Sequence, residues 1–514
     1  MKQSPPLAIL ILVWLSSFHT LAAGFRINQE GRILGDLPAV TNAILFDTTN
    51  ADAEVSAMQI FPVTNPWNEC ISNRPVLTNS GAMIQNIYTN VGSSHRYLEL
   101  FQEMNYVLVP DSQQVVSNEF VDYPDESDLN GGISPYGLYP IPTNQPIEGW
   151  PTQTGTQTLW QWQTNNDGSD RHSITVQPGA GVFFETWNAL RTGTNWQAAN
   201  GAIFNLNTNG LRPAGWTSGD AAGFPMFPAL VRYDECERGM VEHACRLVVV
   251  KSRHGTYLYP ATHYAAPAAN TNVNIPEMGQ RLRLKASFSI PANWTKEEKA
   301  LVLGLKKYGA MVADNSSSFF SISITPDDRW GYAFDDLPGK LSITNFEVVQ
   351  STGPTEGPRS PGAPVAFAGG LLSGAVGVPL MLAGAVSYSN TAPTIQWSLY
   401  SGPGSVVFGN AALTNTTATF SAPGTYVLEL SAADGVHAVA YDAVAITVTS
   451  GLVLTAQRDG TNIDLSWTGG TVPYVVQATS QLSSPAWGNV ATSTTPAVSI
   501  PLTNAAQFFR IQSP

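Results

Sequence analysis

Charge is scarce in this chain: only 12% of its 514 residues are Asp, Glu, Lys or Arg, against about 25% in an average soluble domain. That scarcity excludes a coiled coil and a charged disordered chain. Lysine is the rarest of the four charged residue types: none occurs between Lys2 and Lys251, none follows Lys340, and the net charge is −13. An acidic, lysine-poor surface repels phosphate backbones and offers anionic membranes no cationic patch, so no nucleic acid partner is expected. Three cysteines, Cys70, Cys236 and Cys245, are too few for a disulfide scaffold, and no C-x-x-C spacing is present. Long apolar runs are missing too. Nothing approaches the ~20 residues of a spanning helix, so no membrane insertion is expected. Neither a G-x-S-x-G elbow nor an H-E-x-x-H helix occurs, which argues against an esterase or metallopeptidase.

What is present points to turns and strands. Glycine (44) and proline (36) are plentiful, and 43% of residues are apolar. The N-terminus reads as a secretory signal over 1–23: Lys2, then apolar Leu7 to Phe18, then Thr20-Leu21-Ala22-Ala23 as a small-residue cleavage region. The mature protein is therefore expected to be secreted: extracellular, or held in a periplasm or at a cell surface. Residues 24–350 hold most of the charge and all the cysteines, 351–363 form a Pro/Gly/Ser linker, and the chain beyond is almost charge-free. The expected architecture is mainly β. A large sandwich or barrel with one or two short helices is followed by two small sandwiches at 364–450 and 451–514.

Local signals refine that picture. Arg281 to Phe288 alternates, with Arg281, Arg283 and Lys285 on one wet face. Thr295 and Glu298 form a capping box, Ala300, Leu301, Leu303 and Leu305 supply apolar positions, and Gly309 ends the helix. A strand at Ala310 to Val312 then delivers Asp314 and Asn315. A second short helix is expected near Ser218. Cys236 and Cys245 flank a turn signal, and a hairpin there would bring them within bridging distance.

Candidate chemistry lies in four segments. In Asp170-Arg171-His172-Ser173-Ile174, strand spacing puts Asp170 and His172 on one inward face, an acid and an imidazole placed for proton transfer. Arg232-Tyr233-Asp234-Glu235 reads as strand and offers a carboxylate pair, while Asp220 is either an acid or a helix cap. His243 points inward beside Cys245, and His263 with Tyr264 sits in a polar-aromatic loop. Asp314 is an acid at a strand exit. Trp160 and Trp162, read as one strand face, and Trp216 supply indole surfaces for sugar C–H faces. No cofactor is expected. A structural calcium in the acidic loop Asp122 to Asn130 and a zinc on His172, His243 and His263 are weaker readings.

The Asp170-Arg171-His172, Arg212 to Asp220, Arg232 to Glu235, Pro260 to Tyr264, Pro276 to Lys285 and Tyr308 to Asn315 stretches together resemble a family of secreted bacterial proteins with polysaccharide-rich neighbours. The segment with Ser401-Gly402-Pro403-Gly404 and Phe420 to Tyr426 resembles PKD-type Ig-like domains, and the last segment resembles fibronectin-type-III-like modules. Export, paired acids and aromatics read best as a glycoside hydrolase. Its carboxyl pair is drawn from Asp234 or Glu235 facing Asp170 or Asp314, with Trp160, Trp162, Trp216, Arg232 and Tyr264 binding a polysaccharide, and the chain is expected to be a monomer. The alternatives are a polysaccharide lyase with a His or Tyr base, and a non-catalytic glycan-binding or surface protein.

Overall fold

The computed structural model describes residues 24–513, apart from 38, 167, 335, 336, 338, 471, 484 and 504–506. The expected signal segment lies outside the described residues. The fold is mainly β, and none of its sheets closes into a barrel. Among the described residues there are five α-helices, where the sequence suggested one or two: α1 (Thr49–Ala57), α2 (Ser80–Asn90), α3 (Leu159–Thr164), α4 (Tyr233–Arg238) and α5 (Lys296–Lys307).

Two larger sheets and one smaller build the first part. A five-stranded sheet runs in the order Ile44–Leu45, Val107–Leu108, Ser173–Gln177, Val182–Trp187, Asn200–Asn205. A six-stranded sheet runs Phe346–Val348, Arg281–Leu284, Ala310–Asn315, Cys245–Val249, Phe320–Ile324, Leu98–Gln102. Apolar residues of both, such as Ile174, Phe183, Leu247 and Ile322, join one buried core. A smaller four-stranded sheet packs its own core around Phe120, Tyr139 and Trp196. Strands Cys245–Val249 and Ala310–Asn315 are parallel neighbours. Parallel neighbours need a long crossover, and the one here contains α5.

α5 forms as its caps dictate. Thr295 Oγ1 accepts from the Glu298 N–H (3.1 Å), and Glu298 returns the bond to the Thr295 N–H (2.9 Å). Gly309 ends it at φ +65°, where a Cβ would lie 2.1 Å from the Leu282 carbonyl oxygen, so only glycine fits.

Three local expectations are corrected. The alternating strand stops at Leu284, and its arginine face is not wet: Arg281 and Arg283 are buried, donating to carbonyls of Pro66, Glu69, Ile71 and Ser72. No helix starts near Ser218; a turn runs there, tied by Ser218 Oγ. No hairpin joins Cys236 to Cys245, because Cys236 sits in α4; both thiols are free and buried.

Beyond the first part lie two further cores. One gathers Trp397, Phe420, Tyr426 and Leu428 between a four- and a three-stranded sheet. Its Tyr426 hydroxyl donates back to the Ala422 carbonyl (2.9 Å), the tyrosine corner of Ig-like sandwiches. The other gathers Leu465, Trp467, Tyr474 and Val476 between two three-stranded sheets. The 351–363 segment is held against the first part by Arg359, which donates to Glu69 (2.9 Å).

Candidate active site

One face of the six-stranded sheet carries a polar row. Arg246 stands on Cys245–Val249. Val248 pairs with Ser321 antiparallel, so Ser323 falls beside Arg246. Ser323 pairs with Phe101, and Glu103 lies two residues further on that same face. On the other side the register shifts: Leu247 faces Val312, but Val248 faces Asp314. That bulge absorbs Ala313 and brings Asp314 onto the Arg246 face, which regular alternation would deny it.

The side chains then interlock. Arg246 is buried, and its guanidinium lies 2.6 Å from Asp220 and 3.2 Å from Asp314. Its Nη1 donates to Ser323 (3.2 Å), whose hydroxyl donates to Glu103 (3.3 Å). Next to Glu103, the Gly149 N–H donates to the Glu103 carbonyl (2.9 Å), bringing Glu148 into the row. Glu148 Oε2 accepts from His172 Nδ1 (2.8 Å), while His172 Nε2 donates to the Gly219 carbonyl (2.8 Å). Fully buried Glu185 completes the set, accepting from the Met226 and Phe227 N–H groups (2.9 and 2.8 Å).

Ionisation differs from member to member. Burial, then the Glu148 charge, pushes the Glu103 carboxyl up to about 7, against Arg246 and His172. Burial also raises Asp314 to about 6; Arg246 opposes that rise and Asp220 adds to it. Burial alone would neutralise His172, yet the Glu148 carboxylate raises it to about 10. Burial lifts Glu185 to about 8, despite its two backbone donors. At neutral pH the set therefore holds an imidazolium–carboxylate pair, a doubly paired guanidinium, and carboxyls poised between charged and neutral. Glu103 and Asp314 are half-buried, so solvent reaches this edge.

His263 stands beside the row. Its Nδ1–H donates to the Ala221 carbonyl (2.7 Å), and its ring stacks on Tyr264 (5.9 Å). The Ala222 N–H donates to the Ala313 carbonyl (2.9 Å), tying the Asp220 turn to the Asp314 strand.

Other expected site residues go elsewhere. Asp170 is exposed and does not pair with His172, because Arg171 at φ +51° breaks the alternation; Glu148 takes the imidazole instead. Arg232, Asp234, Glu235 and His243 form a second buried set. Arg232 lies 2.6 Å from Glu235, Arg238 lies 2.6 Å from Asp234, and His243 Nε2 lies 3.1 Å from Glu235. Among the described residues no hydrogen bond or ion pair joins the two sets. Arg232, Glu235 and His243 line a cavity of only about 30 Å³, room for about one water.

The indoles are also redistributed. Thr158 caps α3 with Gln161, so Trp160 and Trp162 share a helix, not a strand face. Trp162 is buried and props Glu148 by donating to its carbonyl (3.0 Å), whereas exposed Trp160 lies under Arg191 (4.3 Å). Half-buried Trp216 lies near Arg212 (5.4 Å). In the acidic loop Asp128 accepts from Arg212 (2.6 Å) and the Ile203 N–H (2.9 Å). His172 and His243 belong to different sets, so the three-histidine zinc site does not assemble. Among the described residues no three His, Cys, Asp or Glu side chains could hold a metal.

Arg246, Glu103, Glu148 and Glu185 escaped the sequence reading. Arg246 and Glu185 had a usable signal: a lone charge inside an apolar strand run must find a buried partner. Glu103 and Glu148 had none.

No protein-family model matches the chain, and no curated protein matches it. Among solved structures, the chain is similar to a PKD domain of the KIAA 1837 protein, at 24% identity over 22% of this chain and 100% of that one, TM-score 0.15. It is similar to a PKD domain of human KIAA0319, at 19% identity over 20% of this chain and 94% of that one, TM-score 0.16. A putative alpha-galactosidase from Bacteroides fragilis matches at 15% identity over 19% of each chain, TM-score 0.14. None of these bears on what the Arg246 set does. Among the described residues, no helix is long and apolar enough to cross a membrane.

Proposed function

We propose that the protein is a secreted carbohydrate-active enzyme, a glycoside hydrolase whose acid is Glu103 and whose partner carboxylate is Asp314. One observation carries this reading: two half-buried carboxyls stand on either flank of a single guanidinium, Arg246, that is already ion-paired. Glycosidic cleavage needs one carboxyl protonated near working pH and another ionised as nucleophile or base. Burial, reinforced by repulsion from Glu148, holds Glu103 part-protonated near neutral pH, and Arg246 biases Asp314 toward its charged form. His172 then acts as the counter-ion of Glu148, not as a base. One chain completes the set, so a monomer suffices, and the trailing sandwiches serve as spacers or glycan holders.

A lyase is the second reading, favoured by the His263 imidazole stacked on Tyr264 beside the row. Against it, Arg246 has no free face to neutralise a uronate. The test is incubation of the full chain with neutral and uronate polysaccharides, reading reducing ends and ultraviolet absorbance together. Reducing ends without absorbance gain are expected. Absorbance gain on a uronate chain would replace the hydrolase with the lyase, and no product on any glycan would remove both.

A further inference from the structure

A groove of about 390 Å³ runs between the first part and the 351–363 segment, within the range of about 300–1,000 Å³ typical of ligand sites. We propose that this groove binds a neutral saccharide chain whose other end reaches the Arg246 set, an inference that rests on the hydrolase reading above. Its walls pair apolar faces with hydrogen-bonding groups: Leu211, Tyr259 and Pro358 on one hand, Thr64, Asn209 and Arg359 on the other. A sugar offers the same mixture, apolar C–H faces for a ring to stack on and hydroxyls around the edge. The single charge in this lining, Arg359, has its N–H donors engaged already, by Glu69 (2.9 Å), Thr64, Thr352 and Gly353. The groove therefore offers a polyanion no free guanidinium donor.

Two stretches of chain connect it to the carboxyls. Tyr259 lines the groove, and His263, four residues on, bonds the Ala221 carbonyl beside Asp220. Four extended residues span at most ~14 Å. Leu211 also lines the groove, and its segment runs through Trp216 to Asp220. The two stretches are fastened together: the Gly215 N–H donates to the Thr262 carbonyl (2.7 Å) and Thr262 Oγ1 to the Trp216 carbonyl (2.9 Å). Groove and carboxyl set thus lie at two ends of one short double strap, a span that an oligosaccharide bridges.

The test is affinity electrophoresis of the full chain in gels cast with β-glucan, xylan, galactomannan or polygalacturonate. Retardation by at least one neutral glycan is expected, weakened about fivefold or more by Tyr259→Ala, the scale of losing one stacking ring. Leu211→Glu is the second variant: Leu211 is 46% exposed, so the fold tolerates it, and the new charge blocks the groove. Equal retardation of both variants and the wild type overturns the proposal. So does retardation by polygalacturonate alone, or binding of a proline-rich peptide with no neutral glycan retarded. Glu103→Gln separates the two readings, because it should be retarded like the wild type while releasing no product. If it releases product normally, the carboxyl assignment falls and the groove stands on the retardation alone.

Discussion

The Arg246 set and the Arg232 set are made of the same ingredients, buried arginine, carboxylates and a histidine, and each holds one carboxyl up and one down, Glu103 and Glu148 in the first, Asp234 and Glu235 in the second; they differ in the balance of charge and in access to solvent. In the Arg232 set burial would raise Glu235, but Arg232 and His243 hold it down to about 2. Every acid there has a nearby cation, and the cavity beside it holds about one water. In the Arg246 set there are more carboxyls than cations, and Glu103 is pushed up to about 7. A balanced, closed set stabilises a fold. An acid-rich set with an open edge stores carboxyls that give and take protons near neutrality.

The sharpest way to break this contrast is to neutralise one carboxyl in each set. Glu103→Gln should cut glycan hydrolysis by about 10²–10⁴-fold without lowering the urea midpoint at neutral pH, since it removes a carboxyl whose ionisation the fold opposes. Glu235→Gln should do the reverse. It strips a buried arginine of its partner, so urea unfolding should report a loss of about 3–5 kcal/mol, with activity per folded molecule unaltered. A stable but inactive Glu235→Gln protein would exchange the roles assigned to the two sets.

Acid dependence sharpens it next. The depressed Glu235 stabilises the fold above the unfolded carboxyl value of about 4.3, and that gain disappears as pH falls through about 2. The raised Glu103 works the other way: its cost is absent below about 4.3, builds as pH rises from there, and is complete above about 7. Urea titrations from acid to neutral pH should show Glu103→Gln flattening the upper limb and Glu235→Gln the lower. Parallel shifts of the whole curve would contradict both. The smallest effect belongs to Asp170→Asn. An exposed acid outside both sets should change stability by no more than about 0.5 kcal/mol and leave turnover intact; lost turnover would restore Asp170 to the site.

Local order was legible wherever neighbours along the chain decide it. The Thr295 capping box and Gly309 stop define α5 as expected, because caps act within one turn. Tyr426 and the Ala422 turn mark a sandwich corner for the same reason. Legibility failed at Trp160 and Trp162, where a six-residue helix looks like alternation, and at Asp170, where one residue at positive φ reverses the pattern. His172, Asp220 and Asp314 were singled out as polar groups near strands, but their partners were not. Asp314 reaches Arg246 only through a bulge, and Glu103 and Glu148 come from loops far away in sequence.

Composition and patterning by themselves determined a mainly β chain, poor in charge, with its titratable groups concentrated before residue 351. Those properties depend on how many polar groups there are and where they fall along the chain. Which acid meets which cation was decided only by the tertiary structure. Strand order and a one-residue register shift set distances of a few ångströms between remote segments, and it is at that range, out of water, that one charge resets the proton affinity of another.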